Sequence, residues 1–207
     1  MQLVLVRHAE PAESARGRCY GRLDFELSAW GRTQSEQLAR QLSAEPVAAV
    51  VSSPRRRAID TARPIAELHG LAVGVVESLR ELDFGEIEGR TYDEIAAARP
   101  ELFAQWMRAP TAVRFPGGES FDSLRRRVAD AVCRLRETYD GRLVVAVTHG
   151  GVVRAVLVDA LGVPVEHTFR LAVDPASLTR IEWVHDVPIV RSLNVVPRQV
   201  LVRTAAI

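Results

Sequence analysis

Charged side chains follow three apolar runs that are typical of buried strands. Arg7 and His8 come directly after the first run, His149 follows another, and the arginines at 55–57 follow a third. In open α/β sheets, ligands bind in the crevice beyond the carboxyl ends of the strands. We therefore expect these side chains to meet at one edge of a single sheet.

The residue types at these positions suit the binding and transfer of a phosphate group. An imidazole can attack phosphorus or carry a proton, and a planar guanidinium binds two oxygens at once. Gly150 and Gly151 follow His149, so backbone amides at the start of the next helix can approach an anion. All 27 basic residues are arginine, which excludes a lysine Schiff base and a lysine-containing phosphate loop. This pattern predicts a phosphate site built without lysine and without metal.

Two arginine triplets occur, and their contexts differ. The triplet at 55–57 lies at a strand end, and we expect one of its members to point into the crevice. The triplet at 125–127 lies inside an amphipathic helix, where we expect it to be mostly solvent-facing.

Apolar runs and helical spacing alternate along most of the chain. We predict strands at 2–6, 47–51, 71–76, 143–147, 178–184 and 189–196. We predict five helical regions: one capped by Ser28, one from about 55 to 68, a broken one over 91–110, one that begins near Ser120, and one that ends near Leu161. Strands that are apolar throughout are typical of a sheet covered on both faces. The predicted fold is a three-layer α/β sandwich with a mostly parallel sheet and helices on both faces.

The bulk composition is that of an ordinary globular chain. At 207 residues it is long enough for one domain, and its net charge of +1 favours neither nucleic acid nor an anionic membrane as a partner. Two widely spaced cysteines, Cys19 and Cys133, and the lack of a signal segment favour the cytoplasm. No sequence pattern of a metal centre, a cysteine phosphatase or an aspartyl phosphatase is present.

Five motifs, in order along the chain, resemble those of the histidine phosphatase superfamily, whose fold is phosphoglycerate mutase-like. They are VRHAE (6–10), SSPRRRAIDTA (52–62), RELDFGEIEG (80–89), PGGES (116–120) and VTHGG (147–151). Ala9 stands where the family usually has glycine, which matters only if that backbone needs a positive φ. The resemblance implies a single histidine phosphatase domain over residues 1–207, with a lid-like helical insertion at about 91–118.

The resemblance also implies a phosphomonoester hydrolase that needs no metal or cofactor and acts on a small phosphorylated metabolite. His8 would be the nucleophile that forms a phosphohistidine, while Arg7, Arg57 and His149 would hold the nonbridging oxygens. Arginine beside the nucleophile favours its neutral form. Glu81 is the expected proton donor on the strength of its motif, with Asp83, Glu86 and Glu88 as open rivals.

The loop at 17–24, called here the entrance loop, is expected beside the mouth of the site. Ser14, Arg16, Arg22 and Gly150 are candidate substrate contacts. The string CYGRLD within this loop is similar to that of α-ribazole phosphatases, which makes α-ribazole 5'-phosphate a candidate substrate.

Two alternatives remain open from the sequence. One is a phosphoglycerate mutase, which returns the phosphoryl group to a sugar acid. The other is a non-catalytic phospho-ligand binding protein on the same fold. A homodimer is also left open, and His69, His167 and His185 carry no motif.

Overall fold

A computed structural model describes residues 1–197 of the chain. The strands within this range are β1 (Gln2–Arg7), β2 (Val47–Ser52), β3 (Val73–Val75), β4 (Leu143–Thr148), β5 (Leu178–Val184) and β6 (Val187–Val195). The helices of seven or more residues are α1 (Ala29–Leu42), α2 (Arg56–Leu68), α3 (Tyr92–Ala98), α4 (Pro100–Arg108), α5 (Phe121–Thr138) and α6 (Gly150–Leu161). Short 3-10 turns join several of them.

The strands form one six-stranded sheet in the order β3-β2-β4-β1-β5-β6. The pairs β2–β3, β2–β4 and β1–β4 are parallel, whereas β5 pairs antiparallel with both β1 and β6. The prediction of a mostly parallel sheet is therefore confirmed. Parallel neighbours place their carboxyl ends at the same edge, and this edge carries the histidines.

Alternate residues of the central strands pack into two separate cores. Leu3 and Leu5 of β1 join the core under α5 and α6, while Val4 and Val6 join the core under α1 and α2. The period of two follows from the pleat, which turns successive side chains to opposite faces. Helices therefore cover both faces, as predicted from strands that are apolar throughout.

The edge strands differ most from the sequence prediction. Strand β3 is limited to Val73–Val75, shorter than the predicted 71–76, because it pairs only with the last three residues of β2. Strand β6 begins at Val187, two residues earlier than predicted, since it forms a hairpin with β5. Hydrogen bonding to a neighbour, rather than hydrophobicity, sets the length of an edge strand.

Helices α3 and α4 occupy the segment in which a lid was predicted. Thr91 caps α3 in a reciprocal pair with Glu94. Tyr92 stacks on Trp106 with ring centroids 5.5 Å apart, and Trp106 packs in turn on Phe84 and Phe115. Helices α3 and α4 thus pack on the stretch that follows Glu81. Their action as a lid stays a prediction. None of the helices within residues 1–197 has the length and apolar character needed to cross a lipid bilayer.

Candidate active site

The ends of three neighbouring strands build the site. In the register of β1 and β4, Arg7 lies opposite Thr148, so His8 and His149 leave the sheet side by side. The His8 amide donates to the Thr148 carbonyl at 2.8 Å, and the Ser53 amide donates to the Val147 carbonyl at 2.9 Å. These bonds extend the sheet beyond its last paired residues and hold all three strand ends together.

The two imidazoles lie in contact inside the protein. Their ring centroids are 5.2 Å apart at an interplanar angle of 63°, and both residues are buried. Nδ1 of His8 lies 2.8 Å from the Ala9 carbonyl, which can only accept a hydrogen bond. Nδ1 therefore carries the proton, and the lone pair of His8 is on Nε2. In this tautomer Nε2 is the nitrogen that can act as a nucleophile.

Ala9 fits the position where the resembled family usually has glycine. The non-glycine residues with positive φ in the described range are Ala176, His185 and Asn194, so Ala9 needs no left-handed backbone. Its amide donates to Oγ1 of Thr61 in α2 at 3.0 Å. The departure from glycine is therefore accommodated without strain.

His149 is held by a serine from the neighbouring strand end. Its Nε2 lies 2.7 Å from Oγ of Ser53, while its Nδ1 is buried and has no hydrogen-bond partner among residues 1–197. Ser53 belongs to the second motif, but sequence reasoning assigned it no role. The one feature of the sequence that could have indicated a role for Ser53 is its position at the end of a strand.

Arg7 and Arg57 point into the same site, held by backbone carbonyls rather than carboxylates. Arg7 donates from Nη1 to the Val173 carbonyl at 2.6 Å, and Arg57 is fully buried. The Nε atom of each is buried with no partner in the part of the chain that the structure describes. Buried charged donors without a counter-ion are costly unless an anion binds there. The pair therefore forms a cationic site that suits a phosphate group.

Burial and positive charge together keep both histidines neutral. Burial lowers the pKa of His8 well below its usual value, and the nearby charges of Arg57 and Arg7 lower it further. The pKa of His149 is lowered for the same two reasons, burial first and Arg57 next. The sequence predicted repulsion by Arg7, and the structure adds burial as the larger cause.

Glu81 is the carboxylate that reaches the histidine side of the site. Its Oε2 accepts from the Gly151 amide at the start of α6 at 3.1 Å, and its Oε1 accepts from Leu82 at 2.9 Å. A Cβ atom on Gly151 would lie 2.3 Å from Oε1 of Glu81, so glycine leaves the space that this carboxylate occupies.

The three rival carboxylates are committed elsewhere. Glu86 is exposed and pairs with Arg99, Asp83 accepts from the Gly85 amide, and Glu88 accepts from several backbone amides. The geometry therefore favours Glu81 as the proton donor, and this role stays a prediction.

The second triplet was predicted to be mostly solvent-facing, and Arg127 is the member that departs from this. Arg127 is nearly buried and donates to the carbonyls of Ser78, Arg80 and Glu81, while Glu119 accepts from its Nε and Nη2. Arg127 thus holds the backbone of the segment that carries Glu81. Amphipathic spacing could not reveal this, because the segment packs against α5 from a distant part of the chain.

A cavity of about 630 Å³ adjoins the phosphate site and shares Arg7 with it. Arg16, Tyr20, Trp30 and Tyr92 are among its lining residues. The aromatic members were not predicted as contacts, and Trp30 is 40% exposed.

Two of the four predicted substrate contacts lie beside the site. Arg16 lines the cavity, and a Cβ atom on Gly150 would lie 3.6 Å from Nε of Arg7. Ser14 and Arg22 are not among the described residues that line the cavity, and Arg22 lies 3.7 Å from Asp83 instead. Loop residues were the hardest to place because their neighbours are distant in sequence.

Comparisons with known proteins agree with this geometry. A sequence model of the histidine phosphatase superfamily (branch 1) matches residues 3–196. Phosphoserine phosphatase 1 of Hydrogenobacter thermophilus is 34% identical over 195 residues, which cover 94% of this chain and 92% of that protein.

Solved structures show the same architecture. The α-ribazole phosphatase of Shigella flexneri superimposes with a TM-score of 0.87 at 27% identity, covering 94% of this chain and 96% of that one. A mycobacterial glucosyl-3-phosphoglycerate phosphatase gives a TM-score of 0.83 at 33% identity over 93% and 98% of the two chains. These matches confirm the resemblance drawn from the five motifs.

Proposed function

Since this chain belongs to the histidine phosphatase superfamily, we propose that it is a metal-independent phosphomonoester hydrolase that works through a phosphohistidine on His8. The observation that carries the proposal is the pair of buried imidazoles 5.2 Å apart, beside the half-buried Arg7 and the buried Arg57, neither of which pairs with a carboxylate among residues 1–197. Phosphoryl transfer depends mainly on positioning and on neutralising charge, and this site supplies both.

In the first step, Nε2 of His8 attacks phosphorus, and the bond from phosphorus to the ester oxygen breaks. Glu81 protonates the departing alkoxide, so the alcohol leaves neutral. The proton of His8 stays on Nδ1, and its hydrogen bond to the Ala9 carbonyl stabilises the positive charge that develops on the ring. Arg7, Arg57 and Nδ1 of His149 bind the nonbridging oxygens.

In the second step, ionised Glu81 takes a proton from water as the water attacks the phosphohistidine. The phosphorus–nitrogen bond breaks, its electron pair returns to Nε2, and inorganic phosphate leaves. His8 is again neutral and Glu81 is again protonated. Every charge in this cycle is balanced by a protein group, which supports the proposal that no metal is needed.

The cavity beside Arg7 supports an ester whose organic group is larger than serine. Its volume of about 630 Å³ exceeds the need of a small amino acid, and Trp30 and Tyr92 present partly exposed aromatic faces to it. Aromatic rings stack on such faces. We therefore rank α-ribazole 5'-phosphate, whose organic group carries an aromatic ring, above phosphoserine and 3-phosphoglycerate.

Acid-quench labelling tests the chemistry. The protein is mixed briefly with a phosphorylated substrate and denatured, and the label is expected to be stable to base and labile to acid. His8→Asn should abolish it, because asparagine can donate to the Ala9 carbonyl but has no Nε2. His185→Asn is the matched control, since His185 lies in the β5–β6 turn with φ 52°. An unlabelled protein that still binds phosphate would support a non-catalytic binding protein instead.

Kinetics on a substrate panel test the specificity. Phosphate release from α-ribazole 5'-phosphate, phosphoserine and 3-phosphoglycerate is measured with and without EDTA, together with isomer exchange of the phosphoglycerate. We expect release that EDTA does not change, and Trp30→Ala should raise the KM for the aromatic ester about threefold to tenfold. Exchange faster than release would identify a mutase, and loss of release in EDTA would contradict metal independence.

A further inference from the structure

Glu88 is a carboxylate enclosed by backbone amides from two segments of the chain. Its Oε1 accepts from Gly21, Arg22 and Phe84 at 2.9 to 3.2 Å, and its Oε2 accepts from Gly21 and Leu23 at 3.1 and 3.3 Å. Both oxygens therefore accept hydrogen bonds from backbone donors, which fix the position of the carboxylate between the two segments.

The same stretch of the entrance loop also holds a phosphate-site arginine. The carbonyls of Leu23 and Gly21 accept from Nη1 and Nη2 of Arg57 at 2.7 and 3.0 Å. The ring of Tyr20 lies 5.0 Å from the carbon of the same guanidinium. Thus the amides of residues 21–23 face Glu88 while two of their carbonyls face Arg57.

The entrance loop packs closely against the neighbouring segment at Gly21. A Cβ atom on Gly21 would lie 1.7 Å from the Leu82 carbonyl oxygen, so the loop backbone lies directly against the segment that begins at Glu81. Arg57 forms no ion pair with a carboxylate in the range 1–197, and within that range its side chain donates hydrogen bonds to this loop alone. The orientation of its guanidinium therefore depends on where the loop is held.

We propose that Glu88 is a positioning residue that acts through the entrance loop to hold Arg57 in its phosphate-binding orientation. The role rests on the proposed function, because it concerns the phosphate site of that reaction. Glu88 fixes the amide side of the loop, and the carbonyl side then presents two acceptors to Nη1 and Nη2. This leaves Nε, which has no partner in the described residues, as the edge that faces the anion.

A double-mutant cycle between Glu88 and Arg57 tests the coupling. Glu88→Gln is nearly isosteric, but one of the two acceptor oxygens is replaced by an NH₂ group. The backbone amides that donate to that oxygen in the wild type lose their acceptor. Glu86→Gln is the matched control, since Glu86 lies two residues away, is exposed and pairs with Arg99. Phosphate release and inhibition by orthovanadate are measured for the wild type, each single variant, Arg57→Ala and the double variant.

We expect Glu88→Gln to lower kcat about 100-fold, the cost of a displacement of about 1 Å at a catalytic group, and to weaken vanadate binding. In the Arg57→Ala background the same change should have little further effect, because the arginine it positions is gone. Equal losses in both backgrounds would overturn the inference. A wild type that releases no phosphate would instead contradict the proposed function.

A second measurement is independent of turnover. NMR signals of the Arg57 guanidinium hydrogens, assigned by their loss in Arg57→Ala, report whether Nη1 and Nη2 stay hydrogen bonded. Slow rotation of these groups is expected in the wild type and in Glu86→Gln, and fast rotation in Glu88→Gln. Slow rotation in a folded Glu88→Gln protein would show that Glu88 does not hold the arginine.

Discussion

Oγ of Ser53 lies 2.7 Å from Nε2 of His149, and both groups are buried. The serine comes from the end of β2 and the histidine from the end of β4, so the bond crosses between adjacent parallel strands. When Ser53 donates, Nε2 is the acceptor and the proton of His149 is on Nδ1, the atom for which residues 1–197 provide no partner. The hydroxyl therefore sets which atom of His149 can donate to a phosphoryl oxygen.

Ser53→Ala should lower kcat/KM about tenfold, because one net hydrogen bond to His149 is lost and its tautomer is no longer fixed. Ser53→Thr retains the hydroxyl and should recover part of the activity. Steady-state kinetics with a phosphate monoester check this. Ser35→Ala is a suitable control, since it also removes a buried hydroxyl but from α1, where the hydroxyl donates to the Gly31 carbonyl. Equal losses in the two variants would contradict a role for Ser53.

The folded protein should lose stability as the pH falls below about 6.5, the usual pKa of histidine. His8 and His149 have lowered pKa values in the folded state, so they bind protons only after unfolding. The unfolded state then binds more protons, and the free energy of unfolding decreases as pH falls, by at most about 1.4 kcal/mol per pH unit for each histidine.

Urea denaturation between pH 5 and 8 checks this dependence. His149→Gln should make the curve flatter, because one of the two groups that gain a proton on unfolding is absent. Ser35→Ala contains both histidines and should shift the curve without changing its slope. A slope that is the same in His149→Gln and wild type would show that this ring does not stay neutral when folded.

Gly151→Ala should remove most of the activity while the protein stays folded. The added Cβ would lie 2.3 Å from Oε1 of Glu81, which is the end of a flexible side chain and can swing away. Loss of a positioned proton donor costs about 10² to 10⁴ in rate. Gly74→Ala is the control, because its Cβ would meet Val51 at an ordinary 3.5 Å. Full activity in folded Gly151→Ala would rule out Glu81 as the donor.

Arg127→Ala should destabilise the protein by about 3 kcal/mol, the cost of leaving one member of a buried ion pair without its partner. Burial alone would raise the pKa of Glu119, but the hydrogen bond and charge of Arg127, together with the Asp83 amide and the charge of Arg80, lower the pKa overall. Arg126→Ala, in the same triplet but 79% exposed on its side chain, should change stability by less than about 0.5 kcal/mol. Thermal and urea unfolding compare the two, and equal losses would contradict the buried pair.

The sequence by itself determined the fold class, the order of the elements and which edge of the sheet carries the chemistry. Strands that are apolar throughout, with helices between them, define the layers, and strand ends of parallel neighbours share one edge. For this reason the sequence alone places Arg7, His8 and His149 together at one edge. The family motifs then selected Arg57 and Glu81, which local physics left undecided.

Only the tertiary structure decided the contacts between segments that are distant in sequence. The bond from Ser53 to His149, the burial of Arg127, the enclosure of Glu88 and the aromatic faces of Trp30 and Tyr92 all depend on loops packed against other elements. Hydrophobic spacing reports which face of one element is buried, but it carries no information on which polar partner lies opposite. Such partners are fixed only when the whole chain closes around them.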